Sequence, residues 1–230
     1  MFTRYAIYHA PANSSDLGRL GAEWLGRDTT LDAAPVVQPA PNLPGCRPMG
    51  ELVAAAHRYG LHGTLKPPMR LADGQSGDDL TQAVAAWAST RAPVDLGRLR
   101  VVALGPFLAL VLVMQPAALV DFAADLVRDL DRFRVPLTDA DLARHRQSGL
   151  SLRQEALLAE WGYPYVMDEL RFHITLTGPL KTHERAPVQA AAEAHFAPAL
   201  RQPEIMAALA VFAEDEAGVF HLISRLPLQG

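Results

Sequence analysis

The order in which secondary-structure signals recur along the chain is the feature that most constrains its fold. Hydrophobic periodicity and turn residues predict the same series in each half: a strand, two helices, a strand with the motif His-x-Thr-Leu, a helix and a hairpin. The motifs are His62-Gly63-Thr64-Leu65 and His173-Ile174-Thr175-Leu176. The halves share little identity, so the prediction depends on the matching order. We expect an α+β protein built as a pseudo-twofold duplication.

This order predicts one bilobal domain over 1–230, with halves of about 1–106 and 107–230. Two antiparallel or mixed sheets would face a central cleft with helices outside, and exchange of strands between the lobes is left open. The predicted helices are 17–25 with Asp16 as a cap, 50–58, 78–90, 117–132, 152–161 and 184–195. The predicted strands are 4–9, 61–71, 99–104, 107–114, 171–176, 205–213 and 219–226. A proline-rich loop is predicted at 33–48 and a polar linker at 133–151.

The spacing within each motif predicts that an imidazole and a hydroxyl share one face of a strand. Side chains two residues apart point the same way, so His62 lies with Thr64, and His173 with Thr175, about 7 Å apart along the strand. By the same alternation Lys66 would continue the first row, and Arg171 and Thr177 would extend the second. If the pseudo-symmetry brings the strands together, the cleft holds two imidazoles, hydroxyls and cations.

Such a set of side chains suits the cleavage of a phosphodiester. One neutral histidine can take a proton from the attacking oxygen while the other, protonated, gives one to the leaving oxygen. Hydroxyls and a cation can stabilise the charge that builds on the non-bridging oxygens. Histidine suits both tasks because its ordinary pKa lies near neutrality.

Other interpretations of the same residues stay open. A single His-x-Thr in a strand is most often structural, but two copies at the same position in a repeated order of elements favour a functional role. His62 and His173 with Asp168 or Glu169 could instead hold zinc or iron. We predict no metal and no cofactor, because no closely spaced ligand pair and no glycine-rich phosphate loop is present.

Composition limits the partners that we expect. The net charge is −4, from 21 basic and 25 acidic side chains, which does not favour a protein that coats nucleic acid. An RNA-binding or RNA-end-processing module is the alternative to a small phosphorylated substrate. One cysteine and an N-terminus without an apolar run predict a cytoplasmic protein. The apolar stretch 101–120 is interrupted by Gly105-Pro106 and Gln115-Pro116, so we predict a hairpin there and no membrane span.

The motifs and their surroundings resemble the two-histidine phosphoesterase superfamily, which includes 2′-5′ RNA ligases and cyclic phosphodiesterases. The runs 58–68, 161–165 and 171–178 are similar to its putative phosphonate-metabolism branch, and the likeness extends over nearly the whole chain. The resemblance implies a bilobal fold, no metal, and a catalytic set of His62, Thr64, His173 and Thr175. It also implies a ribose cyclic phosphate as substrate.

The same resemblance suggests a group of substrate-binding residues. These candidates are Tyr8, Tyr59, Lys66, Tyr163, Tyr165 and Arg171.

Overall fold

The computed structural model describes residues 2–31, 33–38, 41, 43–147 and 149–230. The helices are α1 (Asp16–Leu25), α2 (Met49–His57), α3 (Gly77–Ala88), α4 (Ala117–Asp129), α5 (Asp139–Arg146), α6 (Leu152–Trp161) and α7 (Thr182–Phe196). The strands are β1 (Arg4–His9), β2 (Gly63–Met69), β3 (Val94–Gly97), β4 (Leu99–Leu104), β5 (Phe107–Leu112), β6 (His173–Thr175), β7 (Glu204–Met206), β8 (Ala208–Glu214) and β9 (Phe220–Pro227). Short 3-10 turns cover Asp131–Phe133, Met167–Glu169 and Ala199–Arg201. The loop predicted at 33–48 and the linker predicted at 133–151 lie partly outside the described residues.

One antiparallel sheet organises the molecule. Its seven strands follow the order β4-β5-β6-β2-β1-β8-β9, and β3 and β7 form a separate pair. The α+β class predicted from the sequence is confirmed. The two expected sheets meet edge to edge through β2 and β6, where Gly63 is paired with Ile174.

Each end of this sheet combines strands from both halves of the sequence. β4 belongs to the first half but pairs with β5. The β8–β9 hairpin belongs to the second half but pairs with β1, beside β2. Each His-x-Thr strand therefore lies next to strands from both halves.

Helix boundaries follow side-chain caps that stand one or two residues before the predicted starts. The cap of α1 is Ser15, whose hydroxyl accepts from the Gly18 amide, and not Asp16 as predicted; Asp16 is the first helical residue, and α1 ends at Gly26 with a left-handed φ of 68°. A reciprocal capping box of Ser76 and Asp79 begins α3, where Asp78 was the predicted start. A second box, Thr138 with Asp141, begins α5 inside the stretch predicted to be a polar linker.

The two faces of the sheet have different surroundings. Ile7, Leu65 and Ile174 are fully or nearly fully buried in the main apolar core. Each such side chain contributes about 1.5–3 kcal/mol by leaving water. Tyr8 belongs to a smaller aromatic cluster with Phe212 and Phe220. Within the described residues, no helix combines the length and apolarity that a membrane crossing demands.

Candidate active site

Both His-x-Thr-Leu motifs place the histidine and threonine on the more open side of the sheet. In each motif the histidine and threonine are partly exposed, whereas the residue between them and the final leucine are buried. Gly63 is paired with Ile174 in antiparallel register. Extending this register by one residue each way puts Thr64 opposite His173 and Thr175 opposite His62. Opposed side chains in such a pair start about 5 Å apart, and the diagonal histidines about 7–8 Å apart.

The His62 ring is held by aromatic contacts and by its own backbone. Its centroid lies 4.0 Å from the Tyr8 ring and 5.7 Å from the Tyr59 ring. Nδ1 lies 3.0 Å from the Gly60 carbonyl oxygen. Because a carbonyl only accepts, Nδ1 carries the proton and neutral His62 presents an unprotonated Nε2.

Burial determines the charge state of His62. The pKa of His62 is lowered to about 4, mainly by loss of water; the hydrogen bond to Gly60 opposes this shift and repulsion from His173 adds to it. His62 is therefore neutral at neutral pH and able to accept a proton. The repulsion also shows that the two imidazoles lie within electrostatic range.

The His173 ring repeats the same backbone contact in a more open setting. Its Nδ1 donates to the Arg171 carbonyl oxygen over 2.8 Å, again two residues upstream. Its nearest described ring partner is Phe107, with centroids 6.1 Å apart. The residue opposite the motif threonine explains the difference: Tyr8 faces Thr64, but Ala109 faces Thr175. The smaller side chain leaves His173 open to water.

A cavity of about 430 Å³ opens beside these residues, a size suited to a small ligand. Its lining includes His62, Thr64 and Thr175. His173 is outside the lining, two residues before Thr175 on the same strand. The rest of the wall comes from β1, from the end of α2 and the loop after it, from the remainder of β2 with Arg70, from residues 134–145 and from the end of α6.

Lys66 does not continue the row of His62 and Thr64, contrary to the expectation from alternation. A register shift in β2 places Thr64 opposite Tyr8 but Lys66 opposite Ile7, which faces the other side. The Lys66 side chain is 2% exposed, and its ammonium donates to Asp131 over 3.1 Å. Burial lowers the pKa of Lys66 while the Asp131 charge opposes this shift. Lys66 borders the cavity, but its charge is held by Asp131.

The other predicted substrate-binding residues divide into two groups. Tyr8, Tyr59 and Tyr163 line the cavity, and burial raises the pKa of Tyr8 and of Tyr163. Tyr165 lies outside the lining, with its ring 5.6 Å from that of Tyr163. Arg171 also lies outside it; its side chain is 78% exposed, 3.9 Å from Glu169, and its described contribution to the site is its carbonyl.

Sequence reasoning missed several cations of this cavity. The lining contains Arg4, Arg70, Arg134 and Arg144, none of which belongs to a motif. Arg134 and Arg144 lie in the stretch predicted to be a linker. The spacing Thr138-x-x-Asp141 is a readable capping signal for α5 and could have revealed the helix.

The alternative metal set is not assembled in the described residues. Asp168 accepts hydrogen bonds from Arg153, and Glu169 accepts one from Gln154, so both carboxylates are engaged elsewhere. In that same part of the chain, no three histidine, cysteine or carboxylate side chains form a group that could hold a metal ion.

The chain belongs to the family described as DUF1045, a protein of unknown function, whose model matches residues 64–221. Two curated relatives, from Janthinobacterium sp. (strain Marseille) and Laribacter hongkongensis (strain HLHK9), are 38% and 37% identical over 236 residues. Both are named ribose 1,5-bisphosphate phosphokinase PhnN. The matches cover 99% and 97% of this chain but 51% of each relative, so the chain spans about half their length.

A crystal structure described as a phosphoesterase is also similar to this chain. It is 13% identical, covers 100% of both chains and superposes with a TM-score of 0.46. Likeness at that level establishes no shared function.

Proposed function

We propose that this chain is a metal-independent phosphoesterase of the two-histidine type that opens a small cyclic phosphodiester. The main support is one contact made twice. His62 and His173 each donate from Nδ1 to the backbone carbonyl two residues earlier. Both rings thus keep Nε2 for chemistry, on strands that are paired at Gly63 and Ile174.

The environments of the two rings support different roles. His62, whose pKa is lowered to about 4, is neutral near pH 7 and serves as the base. His173 is the more open ring, and it serves as the acid. The Thr64 and Thr175 hydroxyls would donate to the non-bridging phosphate oxygens as charge develops.

The proposed reaction is one in-line displacement at phosphorus. A water oxygen forms a bond to phosphorus while its proton passes to His62 Nε2. The bond from phosphorus to one ring oxygen breaks, and His173 Nε2 gives that oxygen a proton. The product is a phosphomonoester with a neighbouring free hydroxyl, and proton exchange with solvent restores both histidines.

The names of the curated relatives support ribose phosphates as the substrate class. Those proteins are named for a phosphokinase acting on a ribose bisphosphate, but this chain spans about half of them and contains no glycine-rich phosphate loop. We therefore assign this chain a hydrolytic step on a ribose cyclic phosphate, in phosphonate catabolism. Its net charge of −4 does not favour long RNA as the substrate.

A screen of cyclic phosphodiesters followed by phosphorus NMR tests the proposal. It should contain ribose 1,2-cyclic phosphate and the nucleoside 2′,3′-cyclic phosphates, each with and without EDTA. We expect at least one ring-opened monoester, formed at the same rate in EDTA. The His62→Ala/His173→Ala double variant is the matched control and should be inactive.

Two results would contradict the proposal. Activity that survives in the double variant would remove the histidines from the chemistry. Activity that is lost in EDTA and restored by zinc would favour a metal-dependent hydrolase.

A further inference from the structure

The cavity continues beyond the histidines into a strongly basic region. We call Lys66, Arg70, Arg134 and Arg144 the outer cation cluster; all four line the cavity. The end of β2 supplies Lys66 and leads into Arg70, the segment after the 3-10 turn at Asp131–Phe133 supplies Arg134, and α5 supplies Arg144. Asp141 is the one carboxylate residue among the described residues of the lining.

Ion pairing leaves this cluster with excess positive charge. Asp141 accepts from both Arg70 and Arg144, over 2.7 Å each. Asp131 accepts from both Lys66 and Arg134, over 3.1 Å and 2.8 Å. Each carboxylate therefore faces two cations, and each trio carries one net positive charge. Arg4, by contrast, is balanced by Glu214.

Both carboxylates are ionised at neutral pH, so each cancels only one of the two positive charges that face it. Hydrogen bonds from Thr138, Arg144 and Arg70 hold the pKa of Asp141 well below its usual range. Burial raises the pKa of Asp131, but hydrogen bonds and charge from Arg134 and Lys66 outweigh it and leave the pKa low. The four cations and the two carboxylates thus carry a net charge of about +2.

Two members of the cluster have donors to spare. In the described contacts, Arg70 and Arg144 each reach Asp141 through Nη2 alone. A guanidinium has five N–H donors in a planar fork, which suits two oxygens of a phosphate. The Arg144 side chain is 62% exposed, so a ligand in the cavity can reach it.

The excess charge matches the anion that such donors bind best. A phosphomonoester carries about −1.5 to −2 near pH 7, whereas a cyclic phosphodiester carries a single charge. We infer that the outer cation cluster binds a second phosphate of the substrate, so that the preferred cyclic phosphodiester also carries a terminal phosphomonoester. This inference rests on the proposed function and names the substrate class of the same site.

The experiment must separate ligand binding from a structural role. Asp141 is part of the capping box of α5, so its arginine partners also help to fix that helix. Loss of α5 would weaken activity on every substrate equally. Loss of a phosphate contact would weaken activity only on the substrate that carries the extra phosphate.

The test compares matched substrates on the wild type and on Arg144→Gln. The pair is ribose 1,2-cyclic phosphate with and without a phosphate on O5, and the readout is the ratio of their kcat/KM values. We expect the wild type to prefer the phosphorylated member by roughly tenfold to a hundredfold, the scale of one or two hydrogen bonds to a charged group. Arg144→Gln should lower that ratio by about tenfold.

Arg146→Gln is the matched control, because Arg146 lies on the same helix but pairs with Glu155 and is absent from the lining. It should keep the wild-type ratio. A ratio near one in the wild type, or an equal ratio in the wild type and Arg144→Gln, would overturn the inference and leave the hydrolase standing. No hydrolysis of either substrate would overturn both.

A third substrate tests whether the second anion is a phosphomonoester or a phosphodiester of an RNA backbone. A dinucleotide that ends in a 2′,3′-cyclic phosphate and lacks a terminal monoester offers one internal phosphodiester instead. If this dinucleotide is preferred over the phosphorylated sugar and loses that preference in Arg144→Gln, an RNA backbone occupies the cluster and the inference is wrong.

Discussion

The two His-x-Thr-Leu motifs share one backbone device but differ in what surrounds it. In both, Nδ1 of the histidine donates to the carbonyl two residues upstream. His62, however, lies under the rings of Tyr8 and Tyr59, whereas the position opposite the second motif's threonine is Ala109. A repeat that keeps its hydrogen bonds can thus cover one imidazole with aromatic rings and leave the other more open.

The largest effects should come from the imidazoles themselves. His62→Ala and His173→Ala should each lower kcat by roughly two to four orders of magnitude, the usual contribution of a proton-transfer group. Steady-state kinetics on the cyclic phosphodiester substrate would measure this. If either variant kept most of its activity, the two motifs would not act as a pair.

The threonines should come next. Thr64→Val and Thr175→Val keep the shape but remove a hydroxyl, and each should lower kcat by roughly a hundredfold, as expected for one donor to a developing oxyanion. Unchanged circular dichroism would show that the fold survives. A loss confined to KM would mean that the hydroxyls bind the ground state and the transition state equally.

Substitution of the residue between histidine and threonine should lower the free energy of unfolding in both motifs, but for a different reason in each. A Cβ at Gly63 would lie 2.3 Å from the Phe172 ring, which is buried, so Gly63→Ala should destabilise the fold by about 1–3 kcal/mol through overpacking. Ile174 is fully buried, so Ile174→Val should cost about 0.5–1.5 kcal/mol for the opposite reason, a lost methylene. Urea unfolding measures both free energies. A neutral Gly63→Ala would show that Phe172 can move aside.

The smallest expected effect concerns pH. Burial lowers the pKa of His62 to about 4, so kcat/KM should rise with pH through about 4 as the base loses its proton. Tyr59→Ala should admit water to the ring and move this acid limb upward by about one unit. The pH profile of each enzyme measures the shift. An acid limb in the wild type near the ordinary histidine value would mean that the ring is not desolvated.

Much of the local structure could be predicted because the signals are local. The exposure pattern of each motif follows from strand alternation, and the positions of the helices follow from periodicity. Helix α5 was missed because it has one large apolar residue, Leu142, and so no apolar stripe, although its capping box was readable. The two sheets were not expected to join, since pairing between β2 and β6 is set by tertiary contacts.

Lys66 shows where local reasoning ends. Strict alternation puts it beside Thr64, but the register shift in β2 turns it toward Asp131, which is distant in sequence. Neither the bulge nor its acidic partner has a signature near Lys66. The outer cation cluster was missed for the same reason, because its charge excess depends on which carboxylates the fold brings to which cations.

The exchanged strands have a consequence for how this chain can be divided. A cut in the turn between β4 and β5 would give two polypeptides, each with one His-x-Thr-Leu motif. The first would carry β4 without β5, and the second would carry the β8–β9 hairpin without β1. Each fragment would expose an unpaired strand edge that the other fragment fits. The two motifs therefore depend on each other for folding, and a gene split at this turn could work only if the two fragments reassemble as a complementing pair.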